Sequence, residues 1–221
     1  MRRFLFAAAA LFVIASGALA AATVIPLTPG TWHIKYSPGM PTRPTAAPGG
    51  WSFNFPLGKL VPDQANGFVI NHHVDYVLAA WTKPIAGSSI SFTYQVTGNA
   101  PVWNFKTAPN NTCGGAPNFT AMIEHTGDGA LTTPTWRWWA HPNVTLGLTA
   151  GAVTVTVPLD PAFWSDVYGV SGAAALGAFK DTLAHPGFIG LTFGGGCFAG
   201  HGVGVTGGNA TFTLTDYHIN P

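Results

Sequence analysis

Residues 89–97 read Ser-Ile-Ser-Phe-Thr-Tyr-Gln-Val-Thr. Apolar and polar side chains alternate without a break, and the four apolar ones are β-branched or aromatic. An extended chain turns successive side chains to opposite faces, so this stretch buries Ile90, Phe92, Tyr94 and Val96 together. A helix would scatter the same four around its circumference. The segment therefore reads as a half-buried strand.

The pattern recurs on both sides. Residues 153–157 alternate Val and Thr ahead of Pro158. Residues 211–219 bury Phe212, Leu214, Tyr217 or its neighbour, and Ile219. Residues 74–81, 121–125 and 188–193 are shorter apolar strands, and Gly and Pro punctuate the intervals. One helix is expected near 173–185, where Leu176, Phe179 and Leu183 fall at helical spacing and Pro186-Gly187 ends the run. Residues 37–50 are too rich in Pro for regular structure and read as a surface loop. Many short strands with one inserted helix point to an all-β fold: a single-domain antiparallel β-sandwich of jelly-roll type over 21–221.

Composition bounds the function. The chain has 221 residues, 47% hydrophobic and 13% aromatic, so it can bury a large core. Only 8% are charged, against roughly 25% in ordinary domains. Hydroxyls, amides and backbone must supply the polar surface. The formal net charge is +1, which gives no electrostatic footprint for phosphate backbones. Nucleic-acid binding is not expected.

Residues 1–20 read as a signal peptide: Arg2 and Arg3, an uncharged apolar stretch from Phe4 to Leu19, then Ala18-Leu19-Ala20 for cleavage. No later segment is long and apolar enough to span a bilayer. The expected place is periplasmic or secreted, and the leader has a bacterial look. In that compartment Cys113 and Cys197 are expected to form a disulfide joining two Gly-rich loops.

Eight Trp are the most informative feature of the chain. In Trp136-Arg137-Trp138-Trp139, strand alternation puts Trp136 and Trp138 on one face and Arg137 and Trp139 on the other. One pair is then core and the other rim. An aromatic ring on a rim stacks on the apolar face of a sugar, and polar side chains bind its hydroxyls. His201, between Gly200 and Gly202, is a second polar candidate. Glycoside hydrolysis needs two carboxylates. The only Glu is Glu124, with Asp128 nearby and Asp160, Asp166 and Asp216 elsewhere. No serine-hydrolase elbow and no zinc spacing such as His-x-His or His-Glu-x-x-His occurs, although a zinc site can assemble from distant residues. No organic cofactor is expected. A structural calcium on backbone carbonyls with Asp216 or Asp128 stays open, because such sites need no sequence signature.

The segment 173–185, then Phe188-Ile189-Gly190-Leu191-Thr192-Phe193-Gly194-Gly195, Gly200-His201-Gly202-Val203 and Ala210-Thr211-Phe212-Thr213-Leu214, resembles the end of a carbohydrate-binding module of the galactose-binding-like jelly-roll class. The resemblance covers about fifty residues and implies a β-sandwich with loop-borne aromatic and polar ligand contacts. Three readings follow. The leading one is an exported, non-catalytic protein that binds a polysaccharide or glycan through Trp136, Arg137, Trp138, Trp139 and His201. The others are an envelope or surface structural protein without a small ligand, and a glycoside hydrolase using Glu124 with an Asp. The sequence is silent on oligomeric state.

Overall fold

The computed structural model describes residues 21–37, 39–63, 67–106, 115–128, 133–196 and 199–221. The leader, Cys113 and Cys197 lie outside the described residues. Among these residues fifteen strands follow in chain order: β1 (Thr23–Val24), β2 (Trp32–Ser37), β3 (Thr45–Ala47), β4 (Gly50–Asn54), β5 (Lys59–Asp63), β6 (Gly67–Asn71), β7 (His73–Ala80), β8 (Ser89–Phe105), β9 (Pro117–His125), β10 (Arg137–Ala140), β11 (Val144–Thr145), β12 (Val153–Pro158), β13 (Trp164–Asp166), β14 (Pro186–Gly195) and β15 (Val203–Asn220). Among the described residues one α-helix, α1 (Leu176–Ala184), interrupts them between β13 and β14. All pairings between strands are antiparallel.

The strands form a β-sandwich of jelly-roll character. One layer has the order β3-β4-β15-β8-β12, and the other β2-β7-β14-β9-β10-β13. The layers join where the start of β15 also pairs with β7, at Val203 and Val74. Ile90, Phe92, Tyr94 and Val96 all point into the core, as the alternation of 89–97 requires. Rings from the two layers meet there. Tyr94 stacks on Phe212 at 5.5 Å, Phe119 stacks on Phe193 at 5.6 Å, and Phe119 meets Phe212 edge-on at 5.3 Å. Edge and offset contacts of this kind add to the hydrophobic gain of burying large rings.

Three local expectations are refined. In β15 the pairing register shifts between Leu214 and Asp216. This bulge resets the alternation, so Phe212, Leu214, Tyr217 and Ile219 are all buried. Residues 37–50 are not wholly irregular, since they contain β3, which pairs with the following strand β4. Thr45, Ala46 and Ala47 lie between Pro44 and Pro48, keep their N–H groups, and so can form a short edge strand. The helix is shorter than expected. It buries Phe179 and Thr182, while Leu176 is exposed.

Candidate functional site

Strand β10 divides the second layer into two chemical worlds. Trp138 faces inward and is wholly buried. Its ring meets Phe179 of α1 edge-on at 5.2 Å, and its indole N–H donates to the Thr182 hydroxyl at 3.0 Å. Trp139 faces outward with Tyr76, Leu78 and Met122, a cluster separate from the main core. Trp136 precedes the strand in a short 3-10 turn, Pro134–Trp136, and is half-buried with its ring 4.6 Å from that of His125. The strict alternation expected from Trp136 onward therefore starts only at Arg137. Trp138 cannot present a ring to a ligand, because a helix covers it. That part of the expected site is corrected.

Arg137 is also not a free hydroxyl binder. It is buried, and its Nε lies 3.0 Å from Asp128. It also hydrogen-bonds the Tyr76 hydroxyl, whose pKa is pushed up to about 12, chiefly by burial. Glu124 is 1% exposed and Asp128 wholly buried. Burial first, then the charge of Asp128, pushes the Glu124 pKa up to about 7. A substrate has no path to a carboxylate so enclosed, which removes the geometry a glycosidase pair needs. The other acids have structural work. Asp160 caps a 3-10 turn through Ala162 N–H, and Asp216 pairs with His218 at 2.8 Å. The two carboxylates named for calcium are thus engaged by Arg137 and His218.

The outward side of β10 and β13 opens into a cleft of about 420 Å³. Trp139 forms a wall with His141, Asn143, Ser165, Asp166, Tyr168 and, from the Gly-rich loop, Ala199. Gly200 lies against Trp139 with φ +76, and a Cβ there would meet the indole at 2.8 Å and the Tyr76 hydroxyl at 2.9 Å. Only glycine takes that backbone and that approach at no steric cost. His201 itself is exposed and is not a wall of the cleft. Loss of hydration, then the charges of Lys106 and His73, lower its pKa.

Sequence reading missed Tyr168, which is 72% exposed. Asp166 builds its turn: one carboxylate oxygen accepts from the N–H groups of Tyr168 and Val170, each at 2.9 Å. Gly169 closes the turn with φ +80. An Asp whose side chain caps its own turn is a recognised turn signal, and Asp166-Val167-Tyr168-Gly169 carried it. In the same cleft, His141 Nε2 lies 2.7 Å from Ser165 Oγ. This has the reach of a nucleophile–base pair. Among the described residues no carboxylate is hydrogen-bonded to the other imidazole nitrogen, so the orienting third member is missing. Burial lowers the His141 pKa, which keeps the ring neutral at pH 7. Trp139 Nε1 and Asn143 Oδ1 are buried with no partner among the described residues.

No family model matches the chain, and no curated protein matches it. Among solved structures it is similar to a xylan-binding module, CBM15, at 12% identity over 88% of this chain and 96% of that one, with a TM-score of 0.43.

Proposed function

We propose that the chain is a non-catalytic carbohydrate-binding module that docks a neutral sugar chain in the cleft between Trp139 and Tyr168. The observation that carries this reading is the lining. It combines two aromatic residues with an amide, a hydroxyl and a neutral imidazole, and among the described residues no Lys, Arg or Glu is a wall. One oxygen of the Asp166 carboxylate accepts from two N–H groups of its own turn. Such a surface suits rings with apolar C–H faces and hydroxyl rims. The exposed Tyr168 ring would stack on a sugar, and the Ser165, His141 and Asn143 groups would take its hydroxyls. His201 and Trp136 stay outside this docking place and belong to the reading only as outer contacts. The reading includes export after cleavage at Ala20, tested by N-terminal sequencing of the mature protein.

The test is pull-down of residues 21–221 on insoluble cellulose, chitin, xylan and mannan, with soluble oligosaccharides followed by tryptophan fluorescence. Binding that falls at least tenfold in Tyr168→Ala, with an unchanged circular dichroism spectrum, supports the cleft. Absence of binding across the panel moves the weight to a structural surface protein. Binding untouched by Tyr168→Ala moves the docking place elsewhere.

A further inference from the structure

We propose that His125, Asp181 and His185 form a surface site for a first-row transition-metal dication of the zinc or copper type. No spacing in the sequence announces it, because the residues come from two elements. His125 ends β9, while Asp181 in α1 and His185 at the end of that helix are four residues apart and so share one helix face. The two elements are tied by backbone: Thr126 N–H donates to His185 C=O at 2.9 Å. The donors are therefore held together before any metal arrives. Asp181 lies 3.3 Å from His125 Nε2 through one oxygen and 2.9 Å from His185 Nδ1 through the other. One donor atom of each residue lies within 4.8 Å of the other two.

The donor set selects the metal. Two imidazoles and one carboxylate leave a fourth position for water, which is an open zinc arrangement. Imidazole also suits copper and nickel, whereas calcium and magnesium call for more oxygens than are gathered here. Metal–ligand bonds of about 2.0–2.1 Å require the donors to close slightly. Asp181 and His185 are 53% and 63% exposed and can rotate to do so. One contact opposes binding. Gly127 N–H donates to His125 Nδ1 at 2.8 Å, so the ring proton sits on Nε2, facing Asp181. For Nε2 to ligate, that proton must move to Nδ1, and Gly127 loses its acceptor. The site is consequently one of modest affinity. None of the three residues is a wall of the sugar cleft, so the inference stands apart from the proposed function.

The experiment titrates the full chain, free of any affinity tag, with zinc at pH 7.5 by calorimetry. The expected result is one equivalent bound and a thermal midpoint that rises by a few degrees at about 1 mM zinc. Copper gives a local readout, since the Trp136 ring lies 4.6 Å from His125. Copper should quench part of the tryptophan emission, and that part should vanish in Trp136→Phe. Affinity should fall at least tenfold in His185→Ala and in Asp181→Asn, both at exposed positions where folding is verified by circular dichroism. His218→Ala, which removes a His–Asp pair elsewhere, should leave it unchanged. No stoichiometric binding up to 1 mM, or wild-type affinity in His185→Ala, overturns the proposal and leaves the three residues as an ion-pair clasp.

Discussion

Trp138 and Trp139 are neighbours in sequence and share strand β10, yet they end in opposite chemistry. Trp138 is sealed between the sheet and α1 with its N–H satisfied by Thr182. Trp139 is 8% exposed, walls a cleft and has an N–H with no partner among the described residues. One residue type on one strand thus serves packing on one face and offers a surface on the other. The difference teaches that aromatic content alone does not locate a binding site. On the proposed reading, what locates it is the face, together with the polar groups left without a partner among the described residues.

The sharpest way to break the comparison is to truncate the inward ring. Trp138→Ala removes a wholly buried side chain between the sheet and α1. The expected cost is about 3–5 kcal/mol, and roughly 10 °C in thermal midpoint for a domain of this size. Loss of any sugar binding should track unfolding in that variant. A cost below about 1 kcal/mol in chemical denaturation would show that α1 does not depend on this ring.

The outward face has its own buried structure, and Arg137 tests it. Arg137→Met leaves the Asp128 carboxylate buried without its cationic partner. Breaking a buried pair costs about 3 kcal/mol or more. Adding Asp128→Asn to the same chain should recover a large part of that loss, because the stranded charge is then gone. A double variant no more stable than the single one would mean that Arg137 acts by packing on Tyr76, not by charge.

Glu124 gives the face a pH dependence. Its carboxyl is raised from 4.5 to about 7, chiefly by burial. Between those values the folded chain keeps a proton that the unfolded chain has lost. This contribution therefore favours folding at low pH and fades as pH rises from about 4.5 to about 7, with no further change above. Glu124→Gln removes the dependence. Its stability relative to the wild type should climb by up to about 3 kcal/mol between pH 4.5 and pH 8, measured by thermal denaturation at each pH. Parallel pH curves for the two proteins would show that the carboxyl is already ionised in the fold.

Much of the inward half was legible in sequence. Alternation in 89–97 named its core side chains, and in 211–214 it named Phe212 and Leu214, since each misplaced residue would bury a hydroxyl or expose a ring; beyond Leu214 a bulge resets the count. The outward half was less so. Period two told that Trp138 and Trp139 part company, but not which turns inward. That choice is made by pairing with Ile123 and Met122 of β9 and by the distant helix. Trp136 broke the pattern because Pro134 opens a 3-10 turn there. Tyr168 escaped notice for a different reason. Its exposure comes from a four-residue turn organised by Asp166, and no periodicity marks a turn. The clasp of His125 with Asp181 and His185 is invisible to any local reading, as two elements far apart in the chain supply it.

On the proposed reading, the smallest effect on stability belongs to the largest effect on binding. Tyr168 projects from a turn whose hydrogen bonds run through the Asp166 carboxylate and the backbone, so truncating its ring removes no structural bond. Tyr168→Ala should stay within about 0.5 kcal/mol of the wild type, as surface substitutions usually do. Tyr168→Phe should bind sugar nearly as well as the wild type, because the stacking face is retained and only the hydroxyl is lost. Asp166→Ala should weaken binding although its carboxylate touches no ligand, because the turn that holds Tyr168 out would lose two hydrogen bonds at about 1 kcal/mol each. The order wild type, Phe, then Ala in affinity, with flat stability across the three, is what a stacking residue on a rigid turn produces. If Tyr168→Phe instead binds as poorly as Tyr168→Ala, the hydroxyl carries the contact, and the cleft recognises its ligand by hydrogen bonds without stacking.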